Sequence, residues 1–505
     1  MVYTGKIIIL FFCCVISIQL SAQYQTDNSQ YNSLYYKNPI FAGDYPDPSI
    51  LVDGNSYYVV HSSFEYYPGL TIWKSNDLLQ WTPIQSPLKT YVGSVWAPDI
   101  VKYQNKYYIY FPANNTNYVI YADSINGTWS KPIELRISSI DPGHFVDSKG
   151  NRYLYFSNGS YVPLSKDGLQ ITGELTPVYK GWQIPREWSI ECFCMEGPKL
   201  FKHGNYYYLT VAQGGTAGPA TGHMVISARS KTPFGPWENS PYNPIARATN
   251  TNETWCSVGH ATVFKATTND WWMILHAYKN GNYSMGRQTL LAPLIWTNDG
   301  WFKLNDTLLL DAPIKKPQIH QAPFNSTIFT TFNSLSFEHL WKFFGEYDPS
   351  RFSIKGNSIE IKSKGTNIAE SSPLLYVPAH NSYSAEVEIE IRGNAQAGLI
   401  MFYNQQCYSG ILADSTNILT NLRGWQFVTE PNTINRHVFL RLINRNNTVD
   451  MYYSIDGVSW IKTTNSTEVS GYHHNVLSGF LSLRIGLVSM GTGSVQFKNF
   501  KYQAL

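Results

Sequence analysis

The segment Gly43-Asp44-Tyr45-Pro46-Asp47-Pro48-Ser49-Ile50 introduces a pattern that returns four more times along the 505-residue chain. Each copy has a polar or acidic residue, then a small residue or proline, and then the apolar start of a strand. The later copies are Trp96-Ala97-Pro98-Asp99-Ile100, Asp141-Pro142-Gly143-His144-Phe145, Glu196-Gly197-Pro198-Lys199-Leu200 and Gly259-His260-Ala261-Thr262-Val263. An aromatic strand such as Ser56-Tyr57-Tyr58-Val59-Val60 follows each copy after a turn. Five copies at intervals of about 40 to 65 residues are typical of propeller blades.

Composition favours a two-domain β-protein, because 505 residues exceed what one small core can bury. Charged residues make up only 14% of the chain and aromatic residues 15%. Many of these aromatics simply suit strands, but low charge with abundant Tyr and Trp also favours an extracellular protein that handles carbohydrate. The net charge of +3 gives no indication of a nucleic-acid partner.

The first 22 residues have the pattern of a secretory signal peptide. Lys6 precedes an apolar run from Ile7 to Ile18, and small residues follow at Ser21-Ala22. The run is too short to span a bilayer. We therefore expect a secreted protein, extracellular or periplasmic, without a membrane span.

Two β-domains are predicted. The repeats predict a five-bladed propeller over residues 38–311, and the proline-spaced segment 312–323 predicts a linker without periodicity. Residues 324–505 contain short strands of another kind, among them Ser384–Ile391, which alternates strictly between apolar and polar side chains. This second region is predicted to be a β-sandwich.

Four cysteines remain once the leader is removed: Cys192, Cys194, Cys256 and Cys407. In an oxidising compartment some of them could pair, and a bond from Cys192 or Cys194 to Cys256 would join neighbouring blades. Sequence alone leaves the connectivity open. The spacing of Cys192 and Cys194 matches neither zinc sites nor thioredoxin motifs.

Acidic residues at the starts of the repeats are candidates for chemistry. The innermost strand of each propeller blade lines the central channel, so residues at equivalent strand starts converge on one end of it. Glycoside hydrolysis needs a protonated carboxyl for the leaving oxygen and an ionised one for water. The alternative is that Asp-Pro and Glu-Gly-Pro are only turn signals. We accept that alternative for four acids, Asp53, Asp77, Asp99 and Asp123.

Residues from about Asn38 to Leu310 resemble family 43 of the glycoside hydrolases, and within it the β-xylosidases. The matching motifs, in order, include Tyr45-Pro46-Asp47-Pro48, Trp96-Ala97-Pro98-Asp99, Asp141-Pro142, Met195-Glu196-Gly197-Pro198, Gly214-Gly215-Thr216, Gly259-His260 and Gly286-Arg287-Gln288-Thr289. The second domain resembles the concanavalin-like sandwich of many of these enzymes, through Gln396-Ala397-Gly398-Leu399. The resemblance implies an all-β fold: a five-bladed β-propeller followed by a jelly-roll or concanavalin-like β-sandwich.

The resemblance also implies catalytic roles. Asp47 would be the general base, Glu196 the general acid, and Asp141 a third carboxylate that orients the acid and raises its pKa. The family inverts configuration, which needs the two reacting carboxyls to lie about 6.5–9.5 Å apart. Glu187 and Glu191 are rival carboxylates, but neither is followed by Gly-Pro.

The substrate-binding residues implied by the resemblance are Phe64, Trp96, Thr216, His260 and Arg287. Arg287 would hold sugar hydroxyls with its fixed fork of donors. His260 would orient Asp47 or a water, hold a structural calcium in the channel, or serve only as a hydrogen-bonded channel histidine. No other cofactor is expected.

The predicted function is release of terminal pentose, first of all β-D-xylose, from xylo-oligosaccharides or xylan side chains. One alternative is an α-L-arabinofuranosidase, or an enzyme with both activities on arabinoxylan. A more remote alternative is a propeller that binds carbohydrate without catalysis. In the resembling xylosidases the sandwich packs on the propeller and lends a loop to the pocket mouth; the alternative is an independent binding module.

Overall fold

A computed structural model of the protein describes residues 34–318, 332, 337–431 and 436–505. The predicted leader, residues 1–22, and residues 319–323 of the predicted linker lie outside this range. Within the described ranges, no helix has the length and apolar character needed to cross a membrane.

The propeller contains five antiparallel sheets, one for each sequence repeat. Their strands, blade by blade, are Ser49–Asp53, Ser56–Val60, Ile72–Ser75 and Thr82–Gln85; Asp99–Tyr103, Lys106–Ala113, Thr116–Ala122 and Ile133–Glu134; Gly143–Val146, Arg152–Phe156, Ser160–Pro163 and Thr176–Pro177; Met195–His203, Tyr206–Gln213, Met224–Ser230, Glu238–Asn239 and Ala246–Arg247; and Trp255–Lys265, Trp271–Lys279, Arg287–Trp296 and Phe302–Lys303. Two one-turn 3₁₀ helices lie at Ser157–Gly159 and Tyr283–Met285.

Aromatic and β-branched side chains of adjacent blades pack together between the sheets. Tyr108 and Tyr110 of the second blade share a buried cluster with Leu154 and Phe156 of the third. The first strand of each blade contacts the first strand of the next, so the five strands surround the channel. Outside the blades, Tyr35–Tyr36 pairs with Ile314–Lys315, so the predicted linker begins with a short strand.

Asp99 was interpreted from the sequence as a turn residue, but in the structure its side chain also connects neighbouring blades. Its buried carboxylate forms an ion pair with Lys199, with 2.5 Å between Oδ1 and Nζ. The Ser49 hydroxyl donates to the same oxygen at 2.9 Å, and the His144 backbone N–H donates to the other at 2.7 Å. One carboxylate of the second blade therefore binds residues of the first, third and fourth blades.

The second domain is a β-sandwich of strands that are antiparallel to their neighbours. Its strands are Trp341–Phe344, Phe352–Lys355, Ser358–Lys362, Leu374–Tyr376, Ser382–Asn404, Cys407–Ala413, Asn417–Leu422, Trp425–Pro431, His437–Arg445, Thr448–Ser454, Ile461–Glu468 and Arg484–Ala504. Its short helices are Phe337–Leu340, Pro349–Arg351 and His474–Leu477, of which the second is a 3₁₀ helix.

Two long paired strands, Ser382–Asn404 and Arg484–Ala504, run through both layers of the sandwich. The predicted strand Ser384–Ile391 is the first part of the former and continues through Gly393, where φ is +70°. Its partner passes the same region through Gly491 and Gly493, with φ of +87° and +131°. Glycine tolerates these angles without steric strain, which lets the paired strands change direction together.

The sandwich is docked on the propeller rather than tethered to it. Tyr66–Tyr67, from the first blade, pairs with Trp341–Phe344 of the sandwich in one sheet. A buried ion pair also crosses the interface, between Arg484 Nη2 and Asp44 Oδ2 at 3.1 Å. The Arg484 guanidinium lies 3.2 Å from the centre of the Tyr66 ring. These contacts do not fit the independent-module alternative.

The cysteines do not link neighbouring blades. A disulfide joins Cys192 to Cys194 within one segment, while Cys256 and Cys407 are buried and free. The bond to Cys256 considered from the sequence is therefore absent. The Cys256 thiol instead donates to the Tyr283 hydroxyl at 3.3 Å.

Replacement of Asp99 by Asn tests the contact that joins four blades. The variant leaves Lys199 as a buried cation without its counter-ion, and we expect the free energy of unfolding to fall by about 3–5 kcal/mol. Asp123→Asn is the matched control, because Asp123 pairs with Lys106 but its side chain is 83% exposed. Urea unfolding of both variants, followed by circular dichroism, measures the difference. Equal midpoints would contradict the assigned role of Asp99.

Candidate active site

A pocket opens at the end of the propeller channel where the repeat motifs meet. All eight catalytic and substrate-binding residues predicted from the sequence line it, together with three others. The lining residues are Asp47, Phe64, Trp96, Ala97, Ile140, Asp141, Glu196, Thr216, His260, Arg287 and Phe480.

Four of the lining residues have backbone angles that non-glycine residues rarely adopt. Their φ values are +56° at Asp47, +43° at Phe64, +57° at Asp141 and +49° at His260. Such residues cost on the order of 1–3 kcal/mol each and are found mainly at functional sites, where the surrounding structure holds them. Here the unusual angles occur at or beside the starts of strands, where they redirect the side chains into the pocket.

Asp47 is buried among a guanidinium, two imidazole rings and a hydroxyl group. Its Oδ1 lies 2.8 Å from Arg287 Nη1, 3.1 Å from His276 Nδ1 and 3.3 Å from His260 Nδ1. The Ser62 hydroxyl donates to Oδ2 at 2.5 Å. Burial works to raise the pKa of Asp47, but Arg287 and the two histidines outweigh it and hold the pKa well below its ordinary value. Asp47 is therefore ionised at neutral pH.

Glu196 lies at the start of the strand Met195–His203, and its side chain is 22% exposed to the pocket. Its Oε1 lies 3.0 Å from Nε2 of His223. Burial works to raise the pKa of Glu196, but the contact with His223 lowers it to about 2.

Asp141 holds the backbone beside Glu196. Its Oδ2 accepts hydrogen bonds from the Gly197 N–H at 3.0 Å and from the Ser157 hydroxyl at 3.4 Å. Burial raises the pKa of Asp141 well above its ordinary value, and the negative charges of Glu196 and Asp47 add to the rise. The sequence predicted an ionised Asp141 that raises the pKa of Glu196. Like charges act on one another in this way, so the role of Asp141 in raising the pKa of Glu196 stays a prediction.

The remaining predicted residues form the walls of the pocket. Arg287 uses one nitrogen on Asp47, and its guanidinium lies 5.2 Å from the centre of the Phe480 ring and 5.9 Å from that of Phe64. Trp96 packs edge-on against Phe480, with ring centres 5.8 Å apart. Thr216 contacts Nε2 of His276 at 3.4 Å. Aromatic faces and a guanidinium beside carboxylates suit a sugar ring with its hydroxyls.

Three residues of the site were missed by the sequence analysis: His223, His276 and Phe480. His276 lies within the strand Trp271–Lys279, and its Nδ1 accepts the backbone N–H of Asp47 at 3.1 Å. Burial lowers the pKa of His276 to about 3, so it is neutral. His223 and His276 stand alone in strand-like sequence with no motif around them. Phe480 belongs to the second domain, and only the expected loop at the pocket mouth pointed to that region.

The rival groups lie elsewhere. Neither Glu187 nor Glu191 lines the pocket, and Glu191 accepts the Ala217 N–H at 2.8 Å. The His144 ring accepts from Arg152 Nε at 3.0 Å. Its side chain therefore belongs to a separate contact between strands of the third blade.

The donor set at Asp47 does not suit the structural calcium considered from the sequence. Among the described residues, Asp47, His260 and His276 are the one group of three candidate ligands close enough to share an ion. Calcium prefers six to eight oxygen ligands, whereas this group offers two imidazole nitrogens and one carboxylate. Asp47 Oδ1 is also already paired with Arg287. No chemical step is therefore assigned to a metal at this position.

Comparison with known proteins gives two family matches. Residues 36–302 match the model of glycosyl hydrolases family 43, and residues 353–503 match the beta xylosidase C-terminal concanavalin A-like domain. A crystal structure of the GH43 protein BlXynB from Bacillus licheniformis covers 93% of this chain and all of its own, with 26% identity and a TM-score of 0.82.

Two relatives match by sequence. A non-reducing end alpha-L-arabinofuranosidase from Bacteroides ovatus is 32% identical over 300 residues, which is 53% of this chain and 53% of that protein. The match thus spans about half the length of that relative. A putative beta-xylosidase from Escherichia coli is 25% identical over 503 residues, covering 84% of this chain and 90% of its own. The matched family model spans residues 36–302, which is more than half of the chain, and the chain therefore belongs to glycosyl hydrolases family 43.

Proposed function

We propose that the protein is an exo-acting glycosidase that releases a terminal pentose, chiefly β-D-xylose, with inversion of configuration. The observation that carries this proposal is the difference in pKa shift between the carboxyl groups of one pocket. Asp47 is held ionised by Arg287, whereas burial and the charge of Glu196 raise the pKa of Asp141, so the acidic pair Glu196–Asp141 keeps a proton that Asp47 lacks. Inverting hydrolysis needs an ionised base and a proton donor of this kind.

Asp47 is suited to activate water. Its carboxylate is ionised and rigidly held, because three cationic or imidazole groups and the Ser62 hydroxyl surround it. A water that approaches the anomeric carbon would give a proton to this carboxylate while its oxygen forms the new bond. The electron pair of the old glycosidic bond goes to the leaving oxygen.

Glu196 is suited to protonate that leaving oxygen. Its side chain reaches the pocket, whereas Asp141 is almost fully buried and binds the Gly197 N–H instead. Asp141 therefore positions the acid rather than replacing it. General acid catalysis of this type contributes about 10²–10⁴-fold to the rate.

The shape of the site supports action at chain ends. Phe480, from the sandwich, closes one side of the pocket beside Trp96. A separate cavity of about 400 Å³ adjoins it, shares Trp96 and Ile140, and is lined further by Tyr91 and Asn114. A pocket for one sugar, bounded on one side by Phe480, and a larger adjoining cavity for the remainder suit exo cleavage of an oligosaccharide.

The substrate class rests on the relatives. The E. coli relative is named a putative beta-xylosidase and the B. ovatus relative an alpha-L-arabinofuranosidase. We therefore keep terminal α-L-arabinofuranose as the second candidate, because a pocket for one pentose can accept both sugars. The leader-like sequence supports action outside the cytoplasm, on xylan or arabinoxylan fragments.

Hydrolysis of an aryl β-xyloside and an aryl α-arabinofuranoside, each with the wild-type protein and with Glu196→Ala, tests the proposal. We expect release of the aryl group from one or both glycosides by the wild-type protein. Proton NMR of the first sugar formed should show the inverted anomer. A protein that binds xylo-oligosaccharides but hydrolyses neither glycoside would support the binding-propeller alternative.

Asp47→Asn tests the general base. Asn has nearly the shape of Asp and tolerates positive φ better than most residues, so the fold should be retained. We expect kcat/KM to fall by at least about 10²–10⁴-fold on every substrate, since no carboxylate accepts the proton of water. Thermal unfolding checks the fold. Activity equal to that of the wild type would exclude Asp47 as the base.

Glu196→Gln tests the general acid through the leaving group. Acid assistance matters most for poor leaving groups, so hydrolysis of xylobiose should slow by about 10²–10⁴-fold. A dinitrophenyl xyloside, whose leaving group needs no proton, should slow far less. The ratio of the two kcat/KM values measures the effect. An equal loss on both substrates would show that Glu196 has another role.

Phe480→Ala tests the contribution of the sandwich to the pocket. Removing the ring opens the wall beside Arg287 and Trp96, and we expect KM for xylobiose to rise by about tenfold or more as apolar contact is lost. The matched control is Phe427→Ala, another sandwich phenylalanine, which is 46% exposed and does not line the pocket. Unchanged KM in the Phe480 variant would contradict a shared pocket.

A further inference from the structure

The cavity of about 400 Å³ beside the active-site pocket shares Trp96 and Ile140 with it, so the two spaces meet at these side chains. In an exo-acting glycosidase the pocket holds the terminal sugar. The group that leaves the anomeric carbon then extends past the shared residues into the adjoining space. The walls of this leaving-group cavity therefore decide which second sugars fit.

Main-chain pairing between the first two blades fixes the leaving-group cavity to the pocket. The Phe64 N–H donates to the Val95 carbonyl oxygen at 2.8 Å, and the Trp96 N–H donates to the Pro112 carbonyl oxygen at 3.1 Å. Phe64 lines the pocket, whereas the next residue, Glu65, lines the leaving-group cavity. The place of Glu65 is therefore set by the same backbone that forms the sugar pocket.

The sandwich holds the Glu65 backbone from another side. The Gly345 N–H donates to the Glu65 carbonyl oxygen at 2.7 Å. The residues that follow, Tyr66–Tyr67, pair with Trp341–Phe344 in one sheet. Because both domains bind this short segment, the carboxylate of Glu65 can move only by rotation of its own side chain.

Tyr91 holds the side chain of Glu65. The Tyr91 hydroxyl donates to Glu65 Oε2 at 2.6 Å, and the Tyr91 ring packs against Tyr67 with ring centres 5.0 Å apart. Burial and the contact with Glu65 raise the pKa of Tyr91, so the phenol keeps the proton that it donates. Oε1 of Glu65 makes no hydrogen bond to any residue that the structure describes. This oxygen is therefore available to accept from a ligand.

Glu65 is the one charged side chain among the described residues that line the leaving-group cavity. Within the described ranges its carboxylate forms no ion pair, and Arg287 in the adjoining pocket is already paired with Asp47. The other polar side chains of the lining, such as Ser94 and Asn114, are neutral. The leaving-group cavity therefore has hydrogen-bonding groups for sugar hydroxyls and one negative charge.

We propose that Glu65 is a specificity-determining residue for the leaving group, an inference that rests on the proposed exo-glycosidase function. Its carboxylate accepts a hydrogen bond from a hydroxyl group of a neutral second sugar, and it repels a second sugar that carries a carboxylate, such as a uronic acid. In a partly exposed cavity, repulsion between two unit charges changes a rate by about threefold to tenfold. Bonds to unsubstituted or neutral second sugars are therefore cleaved in preference to bonds to acidic ones.

Three aryl β-xylosides test the proposal, with a carboxamide, a carboxylate or an aminomethyl group at the para position. The aryl ring takes the place of the second sugar and is neutral, anionic or cationic; aryl arabinofuranosides replace the xylosides if they are the better substrates. In Glu65→Gln the amide oxygen still accepts from Tyr91, but the charge is lost. Relative to the carboxamide, we expect kcat/KM for the carboxylate to rise by about threefold to tenfold and that for the aminomethyl compound to fall by a similar factor.

The matched control is Glu346→Gln, because Glu346 follows Gly345 at the same interface but is exposed and does not line the leaving-group cavity. Its ratios between the three glycosides should equal those of the wild type. Comparison of each variant with the wild-type protein on the same glycoside cancels the intrinsic reactivity of the leaving group.

Unchanged ratios in Glu65→Gln, or an equal loss on all three glycosides, would overturn the proposal, since the latter is the result of a purely structural role. A wild-type protein that hydrolyses none of them would instead contradict the proposed function, and this inference with it. Should Glu65→Gln not fold, Tyr91→Lys decides, because Tyr91 is 44% exposed. A cation beside Glu65 should shift the ratios in the same direction, and unchanged ratios there would also refute the proposal.

Discussion

The buried contact between Asp99 and Lys199 fixes the positions of the other parts of the site. Asp99 binds Ser49, His144 and Lys199, which belong to three other blades. These residues follow Asp47, Asp141 and Glu196, respectively, by two or three positions. Because a charge pair without water must keep good geometry to offset its desolvation, this contact fixes the relative placement of the strand starts. The contact between Asp99 and Lys199 thus places the three carboxylates of the pocket, although neither Asp99 nor Lys199 lines the pocket.

The three carboxyl groups of the pocket differ in their pKa shifts because each has different neighbours. Asp47 faces a guanidinium and two imidazoles, and its charge is stabilised. Asp141 is buried and faces one backbone N–H, one hydroxyl and two other acids, so burial and the neighbouring charges raise its pKa. Glu196 faces His223 and the pocket. The proposed roles of base and acid therefore follow from the contacts of each group, as in other sites where neighbouring carboxyls differ in pKa.

Much of this arrangement could be predicted from the sequence, because short local motifs specify it. The repeats predicted the propeller, and the motif acids and their companions proved to lie in one pocket. The role of Asp99 was missed because Ala-Pro-Asp reads locally as a turn, while its partner Lys199 is remote in sequence. The same reason applies to His223 and His276, whose partners lie on other blades. The burial of Asp141 and the contact of Glu196 with His223 were also out of reach, because they are properties of the assembled channel.

The shared pocket has a consequence for how the protein matures. Phe480 and Arg484 lie far beyond the last propeller strand, Phe302–Lys303, yet one forms a wall of the pocket and the other pairs with Asp44 beside the Asp47 motif. Domains generally fold as units, the N-terminal one first during synthesis. A propeller that folds on the ribosome therefore has Asp47, Asp141 and Glu196 in place, but its pocket still lacks the wall that Phe480 forms. The pocket is completed only when the sandwich docks, which delays formation of the whole site until both domains have folded.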